Sequence, residues 1–184
     1  RLTDVTGVQT CALPILYHPD TLNYHATWRQ VIAAPFFNAP PYQPTDVQNI
    51  AILGLAGGTS ARQAASVFPN SHIDGFEIDE TIIDVGEKYF GLDEINNLTV
   101  YSQDARLGLR GSHTKYQIIS IDAYRPPYIP AHLTTVEFFS EVYDHLADDG
   151  VLVINVGQIG GDRRLVDALR SEERRVGKEC RSRW

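Results

Sequence analysis

Cysteine is scarce in this chain: the 184 residues include two, Cys11 and Cys180, and each lies near one end. The long interior therefore holds no thiol, so a disulfide framework, a thiolate metal site and a catalytic cysteine lose their support there. The six histidines show no metal-ligand spacing, and we expect no bound metal. The G-x-S-x-G motif of serine hydrolases is also missing.

Basic side chains and long apolar runs are scarce as well. The chain carries 16 Lys and Arg against 23 Asp and Glu, a formal net charge of −7. Nucleic-acid binding needs Lys and Arg to neutralise phosphates, so we expect no nucleic-acid partner. An acidic domain is compatible with a cationic small molecule. No apolar run approaches the roughly 18 residues that a membrane helix needs.

The two ends of the chain differ from its interior. Residues 5–15 and 170–184 are identified as translated sequencing adapters, and such additions are excluded from fold reasoning. We therefore expect 1–15 and 170–184 to be foreign to the native protein; the alternative is a genuine basic tail. These ends hold seven of the 16 basic and four of the 23 acidic side chains, so the interior is the more acidic part.

Residues 16–48 form an aromatic, proline-rich lead-in with one predicted helix over 20–34. Four prolines between positions 35 and 44 interrupt regular structure, because proline lacks a backbone donor. Beyond residue 48, apolar stretches rich in β-branched residues alternate with helical patterns. We predict strands over 49–53, 72–76, 98–101, 116–121 and 151–156, a turn at 148–150, helices over 60–68, 80–90, 106–109 and 135–146, and a last helix starting at 163.

This alternation predicts an α/β fold with a doubly wound, mostly parallel sheet that is covered on both faces. The expected domain occupies residues 49–169. We expect it to be incomplete, with its sheet truncated after the fifth strand, because the following residues are predicted to be foreign.

Successive predicted strands are followed by carboxylates. The first strand runs into the glycine turn 54–59, the second ends at Glu77, Asp104 follows the third and Asp122 follows the fourth. In a doubly wound sheet the carboxyl ends of the strands line one crevice, where ligands bind. The pattern therefore indicates a nucleoside-binding cleft.

The glycine turn contains Gly54, Gly57 and Gly58 before a predicted helix. Glycine permits positive φ and close approach of the backbone to a ligand, and the helix start offers free N–H groups. Ala56 occupies the second glycine position of G-x-G-x-x-G, which disfavours a nicotinamide cofactor. A tight turn without a ligand is the alternative.

Each acid admits a ligand role and a structural role. Glu77 lies about 20 residues beyond Gly54, the spacing at which a carboxylate accepts from two ribose hydroxyls; the alternative is a solvated acid at a strand end. Asp104 either accepts from an adenine amine or caps the short helix. Asp122 follows an apolar strand, so we expect partial desolvation, a raised pKa and a proton-accepting role; the alternative is an acid bonded to loop amides. Asp79 is expected to cap the next helix.

With these residues in place, the chain resembles the spermidine synthase family of aminopropyltransferases over most of residues 17–156, and especially its divergent, often membrane-fused spermidine synthase-like branch. That family has a Rossmann-like fold of the methyltransferase type. The matching strings are Tyr17-His18, Ile52-Leu-Gly-Leu-Ala-Gly-Gly-Thr-Ser-Ala-Arg62, Phe76-Glu-Ile-Asp79, Asp104-Ala-Arg106, and Ile121-Asp-Ala-Tyr-Arg-Pro-Pro-Tyr-Ile-Pro130 followed by Glu137-Phe-Phe139.

The resemblance implies a transferase of polyamine biosynthesis, with decarboxylated S-adenosylmethionine as the aminopropyl donor and a small amine as the acceptor. It further implies a cytoplasmic location, with a fused membrane domain or a homodimer as additional expectations. The implied catalytic residues are Asp122 and Tyr17; the implied donor-binding residues are Gly54, Gly57, Gly58, Glu77, Asp104 and His18; the implied acceptor-binding residues are Tyr124 and Arg125.

Two positions depart from the family pattern. Arg125 stands where the family has a second acid, and its charge should repel a protonated diamine. Gly57 stands where the family has an aspartate that helps to hold the amine of the donor. Two alternatives therefore stay open: a methyltransferase-like enzyme that uses S-adenosylmethionine itself, and a non-catalytic nucleoside-binding domain.

Overall fold

The structure, a computed structural model, describes residues 17–18, 28–38, 40–124, 129–156 and 164–175. Its centre is a five-stranded sheet with the strand order β3-β2-β1-β4-β5. All four neighbouring pairs are parallel, which confirms the predicted doubly wound α/β fold. The strands are β1 Asn49–Leu53, β2 His72–Glu77, β3 Leu98–Ser102, β4 Tyr116–Ile121 and β5 Leu146–Ile154.

Helices connect the strands, and most begin and end within two residues of their predicted limits. Asp79 accepts a hydrogen bond from the Thr81 amide at 2.9 Å, so the expected cap of the second major helix is confirmed. Of the helix predicted over 20–34, the part before residue 28 lies outside the described residues. The helices are α1 Trp28–Ala33, α2 Thr59–Val67, α3 Glu80–Phe90, α4 Ala105–Gly111, α5 Val136–His145 and α6 Arg164–Arg175.

The sheet is covered on both faces because its central strands are apolar on both sides. Along β1, Ala51 and Leu53 belong to one core cluster, whereas Ile50 and Ile52 belong to the other. The first cluster includes side chains of α4, α5 and α6, and the second includes side chains of α1, α2 and α3. This arrangement leaves the carboxyl end of the sheet as the place where loops from both faces meet. Within the described ranges, no helix is both long and apolar enough to cross a bilayer.

The predicted turn at 148–150 is wrong, because these residues lie within β5. Tyr116 pairs with Leu146, and Ile118 then pairs with Val151, so four residues of β5 bulge opposite one residue of β4. Gly150 allows this bulge: a Cβ there would lie 2.7 Å from the Tyr116 carbonyl oxygen. The ladder ends at Ile154, two residues before the predicted end of the strand.

A buried carboxylate links two strands on either side of β1. Asp74 is 5% exposed, and it accepts a hydrogen bond from the Tyr116 hydroxyl at 2.8 Å. Its other oxygen lies 3.1 Å from His72 Nε2. The Tyr116 hydroxyl also lies 2.8 Å from Ser112 Oγ. Burial, and then the neighbouring carboxylate, raise the pKa of Tyr116 far above its usual value, so its hydroxyl remains a donor.

Replacing Tyr116 by phenylalanine is expected to lower the free energy of unfolding by about 1–3 kcal/mol, because one oxygen of the buried Asp74 carboxylate loses its donor. Urea unfolding measures this change. Tyr89→Phe is the matched control, since Tyr89 is 61% exposed on α3 and its loss should stay within about 0.5 kcal/mol. Equal stabilities of the two variants would contradict a stabilising role for the Tyr116–Asp74 bond.

Candidate active site at the carboxyl ends of the strands

A cleft of about 810 Å³ lies at the carboxyl ends of the strands. This volume is within the usual range for a small-molecule site. The structure brings five of the predicted site residues together at this cleft: Gly54, Glu77, Asp104, Asp122 and Tyr124. The geometric expectation that three acids on successive strand ends face one crevice is therefore confirmed.

Gly54 forms the base of the glycine turn and lies against the fourth strand. Its amide and the Leu55 amide both donate to the Phe76 carbonyl, at 3.0 and 2.9 Å. Its φ is +98°, and a Cβ on it would lie 2.7 Å from the Asp122 carbonyl carbon. Glycine is therefore needed here both for the backbone conformation and for the close approach to Asp122.

Gly57 and Gly58 do not line the cleft. Gly58 has φ +84° directly before α2, and a Cβ on it would lie 2.3 Å from the Leu92 Cδ1 atom. A Cβ on Gly86 of α3 would come within 3.5 Å of the Gly57 Cα atom. Gly58 therefore allows the start of α2 to pack against Leu92, and Gly57 lies in contact range of α3. The predicted contact of both glycines with a ligand remains a prediction.

Glu77 is held by backbone amides at the end of β2. Its Oε2 accepts from the Ala56 amide at 2.9 Å, and its Oε1 accepts from the Asp79 amide at 3.1 Å. The residue is 7% exposed, so the alternative of a solvated acid is wrong. A carboxylate has about four acceptor positions, so each oxygen retains capacity for a second donor, such as a hydroxyl of a ligand.

Asp104 caps α4, as one of its two predicted roles requires. Its Oδ1 accepts from the amides of Arg106 and Leu107, at 3.0 and 3.1 Å. Its Oδ2 lies 3.0 Å from the His132 Nε2 atom. The capping role is therefore confirmed, while contact with an adenine amine remains a prediction for a residue that also lines the cleft.

Asp122 follows β4 and its backbone continues the sheet, since its amide donates to the Leu53 carbonyl at 2.9 Å. Burial raises the pKa of its carboxyl, and a hydrogen bond from Asn155 acts in the opposite direction. The Asn155 Nδ2 atom donates to Asp122 Oδ1 at 2.9 Å. The expectation of a partly desolvated carboxyl with a raised pKa is confirmed. A raised pKa makes this carboxylate a better proton acceptor than an exposed aspartate.

Asn155 is a residue of the site that the sequence analysis missed. Besides its bond to Asp122, its carbonyl accepts from the Tyr124 hydroxyl at 2.8 Å. The predicted strand 151–156 placed Asn155 inside the sheet, whereas β5 ends at Ile154, so Asn155 follows an apolar strand as Asp122 does. Its contacts tie two predicted site residues to β5.

One wall of the cleft is held by an ionic cluster on α4 and α5. Arg106 forms two hydrogen bonds with Glu141, at 2.8 and 2.7 Å, and Arg110 donates to the same carboxylate at 2.6 Å. Arg106 also donates to the His132 carbonyl at 2.7 Å. These bonds, Arg106 first, lower the pKa of Glu141 to about 2. The cluster fixes His132, and through it the Asp104 side of the cleft.

Tyr17 and His18 are not among the residues that line the cleft. The Tyr17 ring packs on Phe90, with centroids 5.9 Å apart, and the Arg62 guanidinium lies 4.8 Å from its centre. The structure therefore does not bring Tyr17 together with Asp122, and the predicted roles of Tyr17 and His18 gain no support. Arg125 lies outside the described residues.

A second, small cavity lies on the α1 side of Asp122, with a volume of about 10 Å³. Asp122 and Asn155 line it together with Ser120 of β4 and with Trp28 and Gln30 of α1. Asp122 therefore borders both this cavity and the larger cleft, whereas Asn155 borders the small cavity. Among the residues that the structure describes, no group of three or more His, Cys, Asp or Glu is placed to hold a metal ion.

Comparisons with known proteins agree with this geometry. A family model described as "Spermine/spermidine synthase domain" matches residues 36–184. The chain is 38% identical to a probable polyamine aminopropyl transferase of Bifidobacterium longum, over 71% of this chain and 29% of that protein. It is 37% identical to a polyamine aminopropyltransferase of Vibrio vulnificus, over 80% of this chain and 48% of that protein.

A probable spermidine synthase from Corynebacterium glutamicum has a similar crystal structure, with a TM-score of 0.70 and 25% identity. The match covers 81% of this chain and 53% of that one. The chain thus spans about half the length, or less, of the proteins that it matches. The residues that the family model matches, 36–184, include those that line the cleft.

Replacing Gly54 by alanine is expected to lower the free energy of unfolding by about 1–3 kcal/mol, because the new Cβ would strain the backbone and displace the Asp122 carbonyl. Urea unfolding measures this loss. Gly111→Ala is the control, since a Cβ there meets no atom within 4 Å and alanine favours the helix by up to about 1 kcal/mol. Similar losses in both variants would refute the tight approach of Gly54 to β4.

The ionic cluster predicts a pH-dependent contribution to stability. Because the pKa of Glu141 is lowered to about 2 in the folded state, its contribution is fully present above its ordinary pKa and disappears as the pH falls towards 2. Glu141→Gln is expected to cost about 1 kcal/mol at pH 7. Urea unfolding of both proteins from pH 7 to pH 2 should show this difference shrinking to zero; a constant difference would contradict the ion pair as its source.

Proposed function

Because this chain belongs to the spermine/spermidine synthase family, we propose that it transfers an aminopropyl group from decarboxylated S-adenosylmethionine to an amine acceptor. The observation that carries this proposal is the position of Asp122, a partly desolvated carboxyl in the same cleft as Glu77 and Asp104. A proton acceptor thus lies beside a set of groups suited to a cationic nucleoside.

The donor is a sulfonium ion, and the acids of the cleft favour its positive charge. Glu77 accepts the hydrogen bonds of the two ribose hydroxyls with the capacity that Ala56 and Asp79 leave on its oxygens. Asp104 lies on the adenine side and accepts from the exocyclic amine. Because backbone amides already hold both carboxylates, donor binding requires little rearrangement of these side chains.

The reaction needs a neutral acceptor amine. The acceptor enters as an ammonium ion; Asp122 accepts a hydrogen bond from its N–H and takes one proton, which leaves a neutral amine whose lone pair attacks the propyl carbon next to sulfur. A C–N bond forms, the C–S bond breaks, its electron pair returns to sulfur, and neutral methylthioadenosine leaves. Positioning the nitrogen in line with the C–S bond supplies much of the rate gain, together with proton transfer worth about 10²–10⁴-fold.

The acceptor is a small amine, and the family names favour a polyamine or a diamine. These names also favour aminopropyl transfer over the methyltransferase-like alternative. A non-catalytic domain would not need a desolvated carboxyl with a raised pKa at this position. The cytoplasmic location, the homodimer and the fused membrane domain remain predictions.

Asp122→Asn is expected to lower kcat/KM by about 10²–10⁴-fold, because the acceptor amine loses its base. Methylthioadenosine release from decarboxylated donor and a panel of diamines and polyamines measures this rate. Calorimetry should show a much smaller loss of donor affinity than of kcat/KM, because Asp122 contributes only part of the negative charge of the cleft. Glu77→Gln should instead weaken donor binding about tenfold, because its amide brings N–H groups against the Ala56 or Asp79 amide.

Asp84→Asn is the matched control, since Asp84 is exposed on α3 outside the cleft, and it should retain wild-type activity. Calorimetry of the wild-type chain with S-adenosylmethionine tests the methyltransferase-like alternative. Tighter binding of the carboxylated compound, or no methylthioadenosine from any acceptor, would overturn the proposed function.

A further inference from the structure

Asn155 contacts both Asp122 and Tyr124 at the point where β5 leaves the sheet. Its amide N–H donates to the Ile121 carbonyl at 2.9 Å, so the sheet itself fixes its backbone. From that position its side chain reaches Asp122, and its carbonyl receives the Tyr124 hydroxyl. Among the described residues, Asn155 supplies the one hydrogen bond that the Asp122 carboxylate receives.

We infer that Asn155 is the positioning residue of this site: its side-chain amide orients the Asp122 carboxylate and leaves one of the carboxylate oxygens for the acceptor amine. This inference rests on the proposed function for the role of the acceptor. The contact between the two side chains stands on the geometry alone.

The chemistry of the amide explains why it suits this place. Burial favours the neutral form of the Asp122 carboxyl, and a hydrogen bond to the anion opposes this effect. The amide donates without adding charge, so it does not repel the cationic donor as a guanidinium would. One oxygen is engaged at 2.9 Å, so the carboxyl plane is held before any ligand binds.

The other titratable groups around Asp122 come from several elements. Along the cleft they are Glu77 of β2, Asp79 and Glu80 at the start of α3, Asp104 before α4, and His132 and Tyr124 in the loops. On the α1 side the residues lining the small cavity, Trp28 and Gln30, are uncharged. Burial and Asn155 are nevertheless the two causes that shift the pKa of Asp122.

Two substitutions of Asn155 test this role in the full chain. Asn155→Leu removes the donor with little change of volume, so the pKa of Asp122 should rise. Asn155→Asp places a second carboxyl at the same distance, so the higher of the two apparent pKa values should rise further. Carbon-13 NMR titration of the side-chain carboxyls, with Asp122→Asn to identify the signal, measures this order without turnover.

The acidic limb of the pH profile of kcat/KM should move to higher pH in the same order: it should be lowest for the wild type, higher for Asn155→Leu and highest for Asn155→Asp. At the pH of the wild-type half-maximum, kcat/KM should fall at least about threefold in Asn155→Leu. Asn49→Leu is the matched control: Asn49 begins β1 at the opposite end of the sheet, and its side chain donates to the Lys115 carbonyl at 3.2 Å. It should lose stability without moving the limb.

An unchanged Asp122 pKa in both Asn155 variants would overturn the inference, and so would a shift of equal size in Asn49→Leu. A merely structural role for Asn155 would lower stability and leave the Asp122 titration in place. If the Asp122 pKa moves in the expected order while the wild-type chain releases no methylthioadenosine, the positioning contact is supported and the proposed function fails. The two claims therefore fail separately.

Discussion

The carboxylate of Glu77 joins the two turns on which the cleft is built. One oxygen accepts from the Ala56 amide in the turn after β1, and the other accepts from the Asp79 amide in the turn after β2. The carboxylate thereby satisfies one backbone N–H group in each turn and holds the two turns together. The remaining acceptor capacity of the same side chain faces the cleft. Under the proposed function, the carboxylate of Glu77 both supports the fold and binds the donor.

Asp104 and Asp122 are also held by contacts within the protein. Asp104 holds the first turn of α4 and meets His132 across the cleft, and Asp122 is held by Asn155. Each carboxylate has at least one protein donor in the absence of a ligand, so the negative charge of the cleft is fixed in space. A cationic nucleoside that enters such a cleft meets dipoles and charges that are already oriented. This arrangement fits the proposed reaction, in which positioning of the reactants supplies much of the rate gain.

The limits of several strands and helices could be predicted from the sequence, because local residues determine them. The limits of β1, β4 and α3 agree with the structure because an unbroken apolar or helical pattern ends at a glycine, an acid or a cap. The turn predicted at 148–150 was wrong. Asp-Asp-Gly has the composition of a turn, but the pairing of β5 depends on Tyr116 of β4. The contacts of Asn155 and the position of Tyr17 depend on segments that are distant in the sequence. Hydrophobic periodicity carries no information about such contacts.

The bond between Asp122 and Asn155 spans 33 residues of chain, and this separation has a consequence for biosynthesis. During translation, β4 leaves the ribosome before β5. The nascent chain therefore exposes Asp122 before the side-chain amide of Asn155 can donate to it. Parallel pairing across such separations is slow, because loop closure precedes any gain from contacts. The contact between Asp122 and Asn155 therefore forms only once β5 is available, whereas Glu77 and Asp104 are synthesised earlier.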